Sequence, residues 1–301
     1  MLTAEPERSR MRAQLLEALQ ESDQLQDCRC KSLEPVGSGS TWRGTLSDGR
    51  CLFIKLASPA MLNVESQGLL ALKSWADPEL LMIPDPLGLF PVGECAALLL
   101  PWLDFVRGDQ FALGRGLARL HRASAANGVG RFGWDENGFI GLGLQPAGWC
   151  TSWGKAFVSL RLQPQLQLAS RWGLNLHQQE GLISAVQSWL DQHEPRPCLV
   201  HGDLWAGNAS MLADNRGVLI DPACWWADRE VDLAMTHLFG GFNQRFYEGY
   251  EKEWPLDQDH EKRVLTYNLY HLLNHANLFG GSYKDQCLMA LDTMRSILLG
   301  S

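Results

Sequence analysis

Residues 198–222 read CLVHGDLWAGNASMLADNRGVLIDP, and this stretch determines how the rest of the chain is interpreted. The apolar runs ASML and VLI lie on either side of residues 214–217, whose Asp, Asn and Gly are typical of a turn, so the stretch predicts a β-hairpin. Because a hairpin folds back on itself, it brings Asn208 close to Asp221. Asp203 precedes the hairpin by a short loop. We therefore expect three oxygen-bearing side chains to converge at the open end of the hairpin.

These three side chains suit phosphoryl transfer from a nucleotide. An amide and a carboxylate are ligands that Mg²⁺ accepts together with water and substrate phosphates, so Asn208 and Asp221 are the candidate metal ligands. Asp203 is the candidate group that orients an attacking hydroxyl and takes its proton. The spacing His-x-Asp-Leu-x-x-x-Asn is the catalytic-loop pattern of kinases. Taken alone, the octapeptide HGDLWAGN (201–208) also fits a turn or helix entry in which Asp and Asn cap backbone amides.

A lysine upstream completes part of a kinase-type site. CLFIKLA (51–57) places Lys55 near the end of an apolar strand, where it could hold the α- and β-phosphates of ATP. The next predicted helix offers Glu65 as the partner of its ammonium group. Neighbouring leucines are expected to anchor this helix by facing the lobe interior: Leu62, Leu69 and Leu70.

The nucleotide has two further candidate contacts. The Gly-rich turn VGSGST (36–41) precedes the lysine strand, so that backbone N–H groups can approach phosphate oxygens. The residues of that turn assigned to nucleotide binding are Gly37, Ser38, Gly39 and Ser40. In LPWLD (100–104), Trp102 or Leu103 is expected to donate a backbone N–H to adenine, because Pro101 has none. Five elements follow one another in the order typical of a kinase: the Gly-rich turn, Lys55, Glu65, the octapeptide and Asp221. This order favours a phosphotransferase.

Composition excludes several classes of protein. The net charge is −8 over 301 residues and no cluster of Lys and Arg occurs, which argues against a nucleic-acid binder. The apolar runs are too short and too often interrupted by proline to span a bilayer. The first 20 residues lack the apolar core of a signal peptide, so we predict a cytoplasmic protein. The eight cysteines are scattered and are expected to be reduced thiols.

The pattern along the chain predicts an α+β fold with a protein-kinase-like division into two lobes. Residues 1–101 are expected to form a small, mainly antiparallel β lobe with one main helix, and residues 102–301 a larger, mostly helical lobe. Within these lobes we predict helices over about 8–26 and 60–75, and a long ordered loop over 128–152.

Four stretches carry a resemblance to a known family, the fructosamine kinases or ketosamine-3-kinases. These stretches are HGDLWAGN (201–208), LIDPACWWADREVDLAMTHLFGGF (219–242), FGWDENGFIGLGLQPAGWCTSWGKAFVSLRLQPQLQLA (132–169) and LYHLLNHANLFG (269–280). The likeness covers about residues 30–295. The long middle stretch is its most diagnostic part, because a generic kinase signature would not include it.

The resemblance implies ATP-dependent phosphorylation, with Mg²⁺, of the 3-hydroxyl of a fructosamine- or ribulosamine-type ketosamine. Phosphorylation makes such adducts unstable, so the implied role is repair of glycated amines, either small molecules or proteins. A monomer or weak homodimer is expected. Trp205 is a substrate-side candidate because its indole offers an apolar face and one donor, although a core role is equally compatible. His275, with Asn274 and Asn277, is a second substrate-side candidate by resemblance, and helical packing is the competing explanation for it.

Two alternatives stay open. An aminoglycoside- or choline-type phosphotransferase shares the His-Gly-Asp motif and the later Asp, whereas a catalytically silent pseudokinase would bind ATP without turnover. His201 is interpreted as a structural residue of the loop. Asp232 is expected to hold the catalytic loop through backbone hydrogen bonds rather than to contact substrate. The few residues between Asp221 and the next helix leave no room for a long phosphorylatable activation loop.

Overall fold

The computed structural model describes residues 5–21, 25, 28–37 and 40–300. The N-terminal part of the chain forms a first helix, a second helix and six strands: α1 (Glu5–Glu21), β1 (Cys30–Val36), β2 (Thr41–Leu46), β3 (Cys51–Ala57), α2 (Pro59–Trp75), β4 (Leu81–Met82), β5 (Gly88–Val92) and β6 (Cys95–Pro101). Five of these strands make one antiparallel sheet in the order β1-β2-β3-β6-β5. The predicted antiparallel lobe is confirmed.

Successive side chains of a strand point to opposite faces of the sheet, and one of these faces packs on a core. In β3 every second residue is buried, and β2 alternates in the same way. Apolar side chains from this face and from α1 form one core, which includes Leu15, Leu19, Trp42, Leu46, Leu52 and Ile54. The first helix spans Glu5–Glu21, against a predicted range of about 8–26, of which residues 22–24 and 26 lie outside the described residues. Periodicity alone rarely fixes a helix terminus.

Ser58 is the N-cap of helix α2, and its side chain accepts a hydrogen bond from the backbone N–H of Met61. Leu62 and Leu69 are fully buried, as predicted, but Leu70 is 52% exposed. The expectation for Leu70 was wrong, because Leu70 projects about 100° from Leu69 around the helix axis and lies on the side away from the core.

The remainder of the chain is mainly helical. Its elements are α3 (Phe111–Asn127), β7 (Phe132–Trp134), β8 (Gly138–Ile140), β9 (Gly143–Gln145), β10 (Gly148–Cys150), α4 (Trp153–Phe157), α5 (Gln163–Ala169), α6 (Glu180–His193), β11 (Cys198–Val200), β12 (Ala209–Met211), β13 (Gly217–Leu219), β14 (Trp225–Ala227), α7 (Glu230–Leu238), α8 (Gln244–Glu253), α9 (His260–Phe279) and α10 (Ser282–Leu299). A π-helical turn, Val158–Leu162, joins α4 to α5. Helices α3 and α8 lie so close that a β-carbon on Gly114 would be 1.9 Å from the carbonyl oxygen of Phe246.

The segment over 128–152 is not the predicted loop, because it contains β7, β8, β9 and β10. Each of these strands has three residues, which is too short for an alternating pattern to be visible in the sequence. Strands β8 and β9 form a separate two-stranded hairpin.

The two halves of the chain meet in a small mixed sheet. Strand β13 pairs in parallel with β4, where Gly217 faces Leu81, and antiparallel with β12. The five-stranded sheet ends at Pro101. We propose that the boundary between the two lobes lies after residue 101.

Among the residues that the structure describes, no helix combines the length and the apolar character needed to cross a membrane. All eight cysteines are free thiols, and Cys198, Cys224 and Cys287 are buried.

Candidate active site

The predicted hairpin over residues 208–220 is present and brings the polar side chains together. Strands β12 and β13 pair with Ala209 opposite Leu219, and the backbone N–H of Ile220 donates to the carbonyl oxygen of Asn208 at 3.0 Å. The Asn208 amide donates to the carbonyl oxygen of Asp221 at 3.4 Å. It also donates to the backbone and carboxylate oxygens of Asp203, at 2.9 and 3.2 Å. The three predicted residues therefore converge.

Asp221 occupies an unusual backbone conformation. Its φ is +55°, in the left-handed region that non-glycine residues rarely adopt. Such conformations are maintained where the surrounding structure fixes them, and they are concentrated at functional sites. The half-exposed Asp221 carboxylate pairs with the ammonium group of Lys55. The turn after the hairpin thus directs a carboxylate towards the lysine strand.

Lys55 also contacts its predicted glutamate. Its Nζ lies 2.7 Å from Glu65 Oε2, which joins β3 to the buried face of α2. Burial alone lowers the pKa of Lys55, but the charges of Glu65 and Asp221 outweigh it and raise the pKa above its usual range. The ammonium group therefore stays charged and is held in one position between two carboxylates.

Two cavities meet at this lysine. A cavity of about 420 Å³ lies between the sheet and the segment after β6, and its lining includes Val36, Phe53, Leu100, Trp102, Leu103 and Ile220. A second cavity of about 490 Å³ is lined by Ser40, Met61, Val64, Phe139, Leu142 and Asp203, among others. Lys55, Glu65 and Asp221 line both. An elongated ligand that fills both cavities must pass these three side chains.

Two backbone N–H groups in the segment that follows β6 were predicted as donors to the adenine base, and the structure distinguishes between them. The N–H of Trp102 donates to the carbonyl oxygen of Cys51 at 3.1 Å, so Trp102 is not available as the predicted donor. Among the described residues, the N–H of Leu103 has no acceptor. The Trp102 indole instead donates to Asp104 at 2.9 Å, and the Arg43 guanidinium lies 4.7 Å from its ring centroid. Trp102 thus forms a wall of the first cavity.

Asp203 is a partly buried carboxylate with an elevated pKa. Burial is the largest cause, the nearby charge of Asp221 adds to it, and together they raise the pKa of Asp203 to about 7, against the opposing hydrogen bond from Asn208. A general base works best when its pKa lies near the operating pH. The environment of Asp203 is therefore suited to accepting a proton.

Asp232 fixes the loop that carries Asp203. Its fully buried carboxylate accepts from the backbone N–H groups of His201 at 2.7 Å and Gly202 at 2.8 Å, and from His121 Nε2 at 3.1 Å. His201 Nε2 donates to the carbonyl oxygen of Ile220 at 2.9 Å. Burial lowers the pKa of His201, so its ring is neutral at pH 7. The structural roles predicted for Asp232 and His201 are confirmed.

The remaining predicted site residues include those of the Gly-rich turn and Trp205. Gly37 has φ +67° and Ser40 lines the second cavity, whereas Ser38 and Gly39 lie outside the described residues. Trp205 is 42% exposed, and a β-carbon on Gly207 would lie 2.2 Å from its ring, so the indole covers that glycine. It does not line either cavity.

His275 is also set apart from the two cavities. Its ring packs against Phe239 and Tyr283, with centroids 5.1 and 5.0 Å away, and its Nδ1 donates to the carbonyl oxygen of His271 at 2.8 Å. Helical packing, the alternative raised from the sequence, accounts for these contacts.

The sequence did not indicate the β8–β9 hairpin as part of the site. Phe139, Gly141 and Leu142 from this hairpin line the second cavity, which Asp203 also lines. Glycine-rich, three-residue strands carry no catalytic motif, and only the resemblance of the middle stretch pointed to this region.

A family model for fructosamine kinases matches residues 12–297 of the chain. The chain belongs to the fructosamine kinase family. A probable ketoamine kinase of Synechocystis is 38% identical over 82% of this chain and 86% of its own length. A chloroplastic protein-ribulosamine 3-kinase of Arabidopsis thaliana is 34% identical over 82% of this chain and 76% of its own. This fructosamine kinase family member is therefore a kinase-type phosphotransferase.

Solved structures agree with this membership. A crystal structure of a proposed fructosamine-3-kinase from Haemophilus somnus has a TM-score of 0.77 and 28% identity, and covers 88% of this chain and 91% of its own. An aminoglycoside phosphotransferase superposes with a TM-score of 0.57 at 14% identity, covering 90% of this chain and 95% of its own. The second likeness shows the shared kinase-like fold alone.

Proposed function

We propose that this chain transfers the γ-phosphoryl group of ATP to the 3-hydroxyl of a ketosamine, and so acts in the repair of glycated amines. The observation that carries the proposal is the convergence of Asp203, Asn208 and Asp221 beside the Lys55–Glu65 pair, where two cavities meet. Membership of the fructosamine kinase family supports a ketosamine as the acceptor.

In the proposed mechanism, ATP lies with its base in the first cavity. The backbone N–H of Leu103 donates to adenine, Gly37 and Ser40 approach the phosphates, and Lys55 holds the α- and β-phosphates. Glu65 keeps the Lys55 ammonium in place at 2.7 Å. The phosphate chain then runs towards the second cavity.

Asp203 acts on the acceptor. The substrate O3 forms a bond to the γ-phosphorus while the bond from that phosphorus to the β–γ bridging oxygen breaks. ADP leaves, and the O3 proton passes to the Asp203 carboxylate. The Asn208 amide, 3.2 Å from that carboxylate, fixes its orientation. Asp203 is thereby assigned as the catalytic base.

Asn208 and Asp221 are proposed to hold Mg²⁺. The donor set fits this ion: the Asn208 amide nitrogen is used in hydrogen bonds, which leaves its oxygen as the ligand atom. Asp221 Oδ2 has no hydrogen-bond partner in the part of the chain that the structure describes. When held by these two residues, Mg²⁺ would offset the negative charge that develops during phosphoryl transfer.

The remaining predictions from the sequence form part of the same proposal. Trp205, at the exposed edge of the catalytic loop, is retained as a substrate-side candidate, and so is His275. The acceptor is a free ketosamine or a glycated protein amine, and the protein is a cytoplasmic monomer or weak homodimer.

A direct assay tests the proposal against both alternatives. Purified protein is incubated with Mg-ATP and with fructoselysine, ribuloselysine, kanamycin or choline, and both ADP and phosphorylated product are measured. We expect product from a ketosamine only, and none from the Asp203→Asn variant. Turnover on kanamycin or choline alone would identify the other class of phosphotransferase. Nucleotide binding without any product would identify a pseudokinase.

A further inference from the structure

The β8–β9 hairpin is fixed beside the catalytic loop by contacts to α9. Asn274 donates to the carbonyl oxygen of Ile140 at 3.3 Å, and the buried Gln145 amide donates to the Tyr270 hydroxyl at 2.9 Å. A β-carbon on Gly143 would lie 2.1 Å from the Asn274 side-chain oxygen, so the two elements are in direct contact. The tip of the hairpin therefore has a defined position relative to α9.

That tip presents an apolar side chain to the second cavity. Leu142 is 74% exposed and lines the cavity that also contains Asp203. A single exposed leucine is common on protein surfaces. Here, however, Met61 and Val64 of α2 line the same cavity, as does Phe139 of the hairpin. The cavity thus has an apolar wall formed jointly by the hairpin and α2.

The charges in this cavity limit what can lie along that wall. Among the described residues, Lys55 is the one cation in its lining, and it is paired with Glu65 and Asp221. The carboxylates Glu65, Asp203 and Asp221 outnumber it. The phosphates of ATP would have Mg²⁺ and Lys55 to offset their charge, but an anionic group on the amine side of the acceptor would have neither and would meet unfavourable charge. A protonated amine with an alkyl chain would find both carboxylates and apolar surface.

We propose that Leu142, Met61 and Val64 form an apolar subsite for the alkyl chain on the amine side of the ketosamine. The subsite selects adducts of aliphatic amines over adducts of small or anionic amines. This inference rests on the proposed function, because it assigns the second cavity to the acceptor. Leu142 is a specificity-determining residue, and its exposed position leaves the far end of the chain free to continue into solvent.

Two synthetic ketosamines separate this inference from the proposed function. They are 1-deoxy-1-methylaminofructose and 1-deoxy-1-hexylaminofructose, which differ only in alkyl length. Phosphorylation of the methyl adduct tests the proposed function. The ratio of kcat/KM for the hexyl adduct to that for the methyl adduct tests the subsite. We expect this ratio to be on the order of tenfold, the factor given by partial burial of the longer chain.

Variants of one hairpin provide the matched controls. Leu142→Ser should lower the ratio by about threefold or more while the KM for ATP is unchanged, because less apolar surface remains to bury. Leu142→Met should retain the ratio. Leu144→Ser alters a leucine of the same hairpin that is 49% exposed but does not line the cavity, and should also retain it.

The inference is overturned if the methyl adduct reacts but Leu142→Ser keeps the wild-type ratio, or if Leu144→Ser lowers the ratio equally. If the wild-type protein phosphorylates neither adduct, the proposed function itself is refuted. The subsite proposal is then refuted as well, because it depends on that function.

Discussion

Asp232 offers a sharp test of how the catalytic loop is held. Its carboxylate accepts three hydrogen bonds, two from the backbone of the loop and one from His121, and it is fully buried. Asp232→Asn keeps the size of the side chain but replaces one oxygen with an NH₂ group. Each of the two carboxylate oxygens accepts from a backbone N–H group. Whichever oxygen is replaced, the NH₂ group would therefore face an N–H group, and one backbone donor would lose its acceptor.

The expected cost follows from the lost contacts. A hydrogen bond to a charged group contributes about 1.5–3 kcal/mol, and a buried donor without an acceptor adds its own desolvation cost, so we expect Asp232→Asn to lower the free energy of unfolding by about 2–4 kcal/mol. Domains are commonly stable by about 5–15 kcal/mol, so the variant should still fold. Gly202, with φ +82°, directly precedes Asp203. Loss of the hydrogen bonds to Asp232 should therefore also displace Asp203 and lower kcat.

Urea denaturation gives the free energy of unfolding, and a coupled ADP assay with fructoselysine gives kcat. Asp214→Asn is the control, because it makes the same chemical change at an exposed turn of the β12–β13 hairpin. Since it removes only a surface ion pair with Arg216, it should lower the free energy of unfolding by less than about 1 kcal/mol and leave kcat unchanged. An Asp232→Asn protein with wild-type stability and wild-type kcat would show that the backbone hydrogen bonds to Asp232 do not hold the loop.

Three further predictions concern other parts of the molecule. Lys55→Met should reduce kcat/KM for ATP on the order of 10²-fold, as loss of a charged donor to phosphate does; an unchanged value contradicts its assigned role. Burial alone lowers the pKa of His193, but its hydrogen bond to Asp228 (3.0 Å) and the nearby acidic charges raise it overall. The stability from protonated His193 is therefore complete below its unfolded pKa of about 6.5 and is lost as the pH rises through the folded pKa. Denaturation should show a larger deficit for His193→Gln at about pH 5.5 than at about pH 8.5; a pH-independent deficit would reject this. Gly114→Ala should destabilise by about 3 kcal/mol because its β-carbon would overlap a carbonyl oxygen, whereas Gly181→Ala, in open space on α6, should stabilise by up to about 1 kcal/mol. Equal unfolding free energies for the two alanine variants would contradict the close packing of α3 on α8.

The parts of the site that the sequence predicted are those linked by short chain geometry. A hairpin must return Asn208 to Asp221, and a strand followed by a helix brings Lys55 to Glu65, so residue types and spacing sufficed. The role of Asp232 is the exception, because its carboxylate accepts from the backbone of His201 and Gly202, which lie 31 and 30 residues earlier in the chain.

The remaining features depend on contacts between distant segments, which spacing does not encode. The N–H of Trp102 is taken by the carbonyl group of Cys51, a partner set by the pairing of β3 with β6. The second cavity depends on how the β8–β9 hairpin docks between α2 and α9, and its three-residue strands leave no periodic signal.

The position of the transferred phosphate tests the central claim most directly. The product of Mg-ATP and fructoselysine, trapped at early times, is examined by ³¹P–¹H correlated NMR, with the Asp203→Asn reaction run in parallel. The account predicts a phosphate on O3 of the sugar and no such signal from the variant. A phosphate on another oxygen, or the same product from Asp203→Asn, would contradict it.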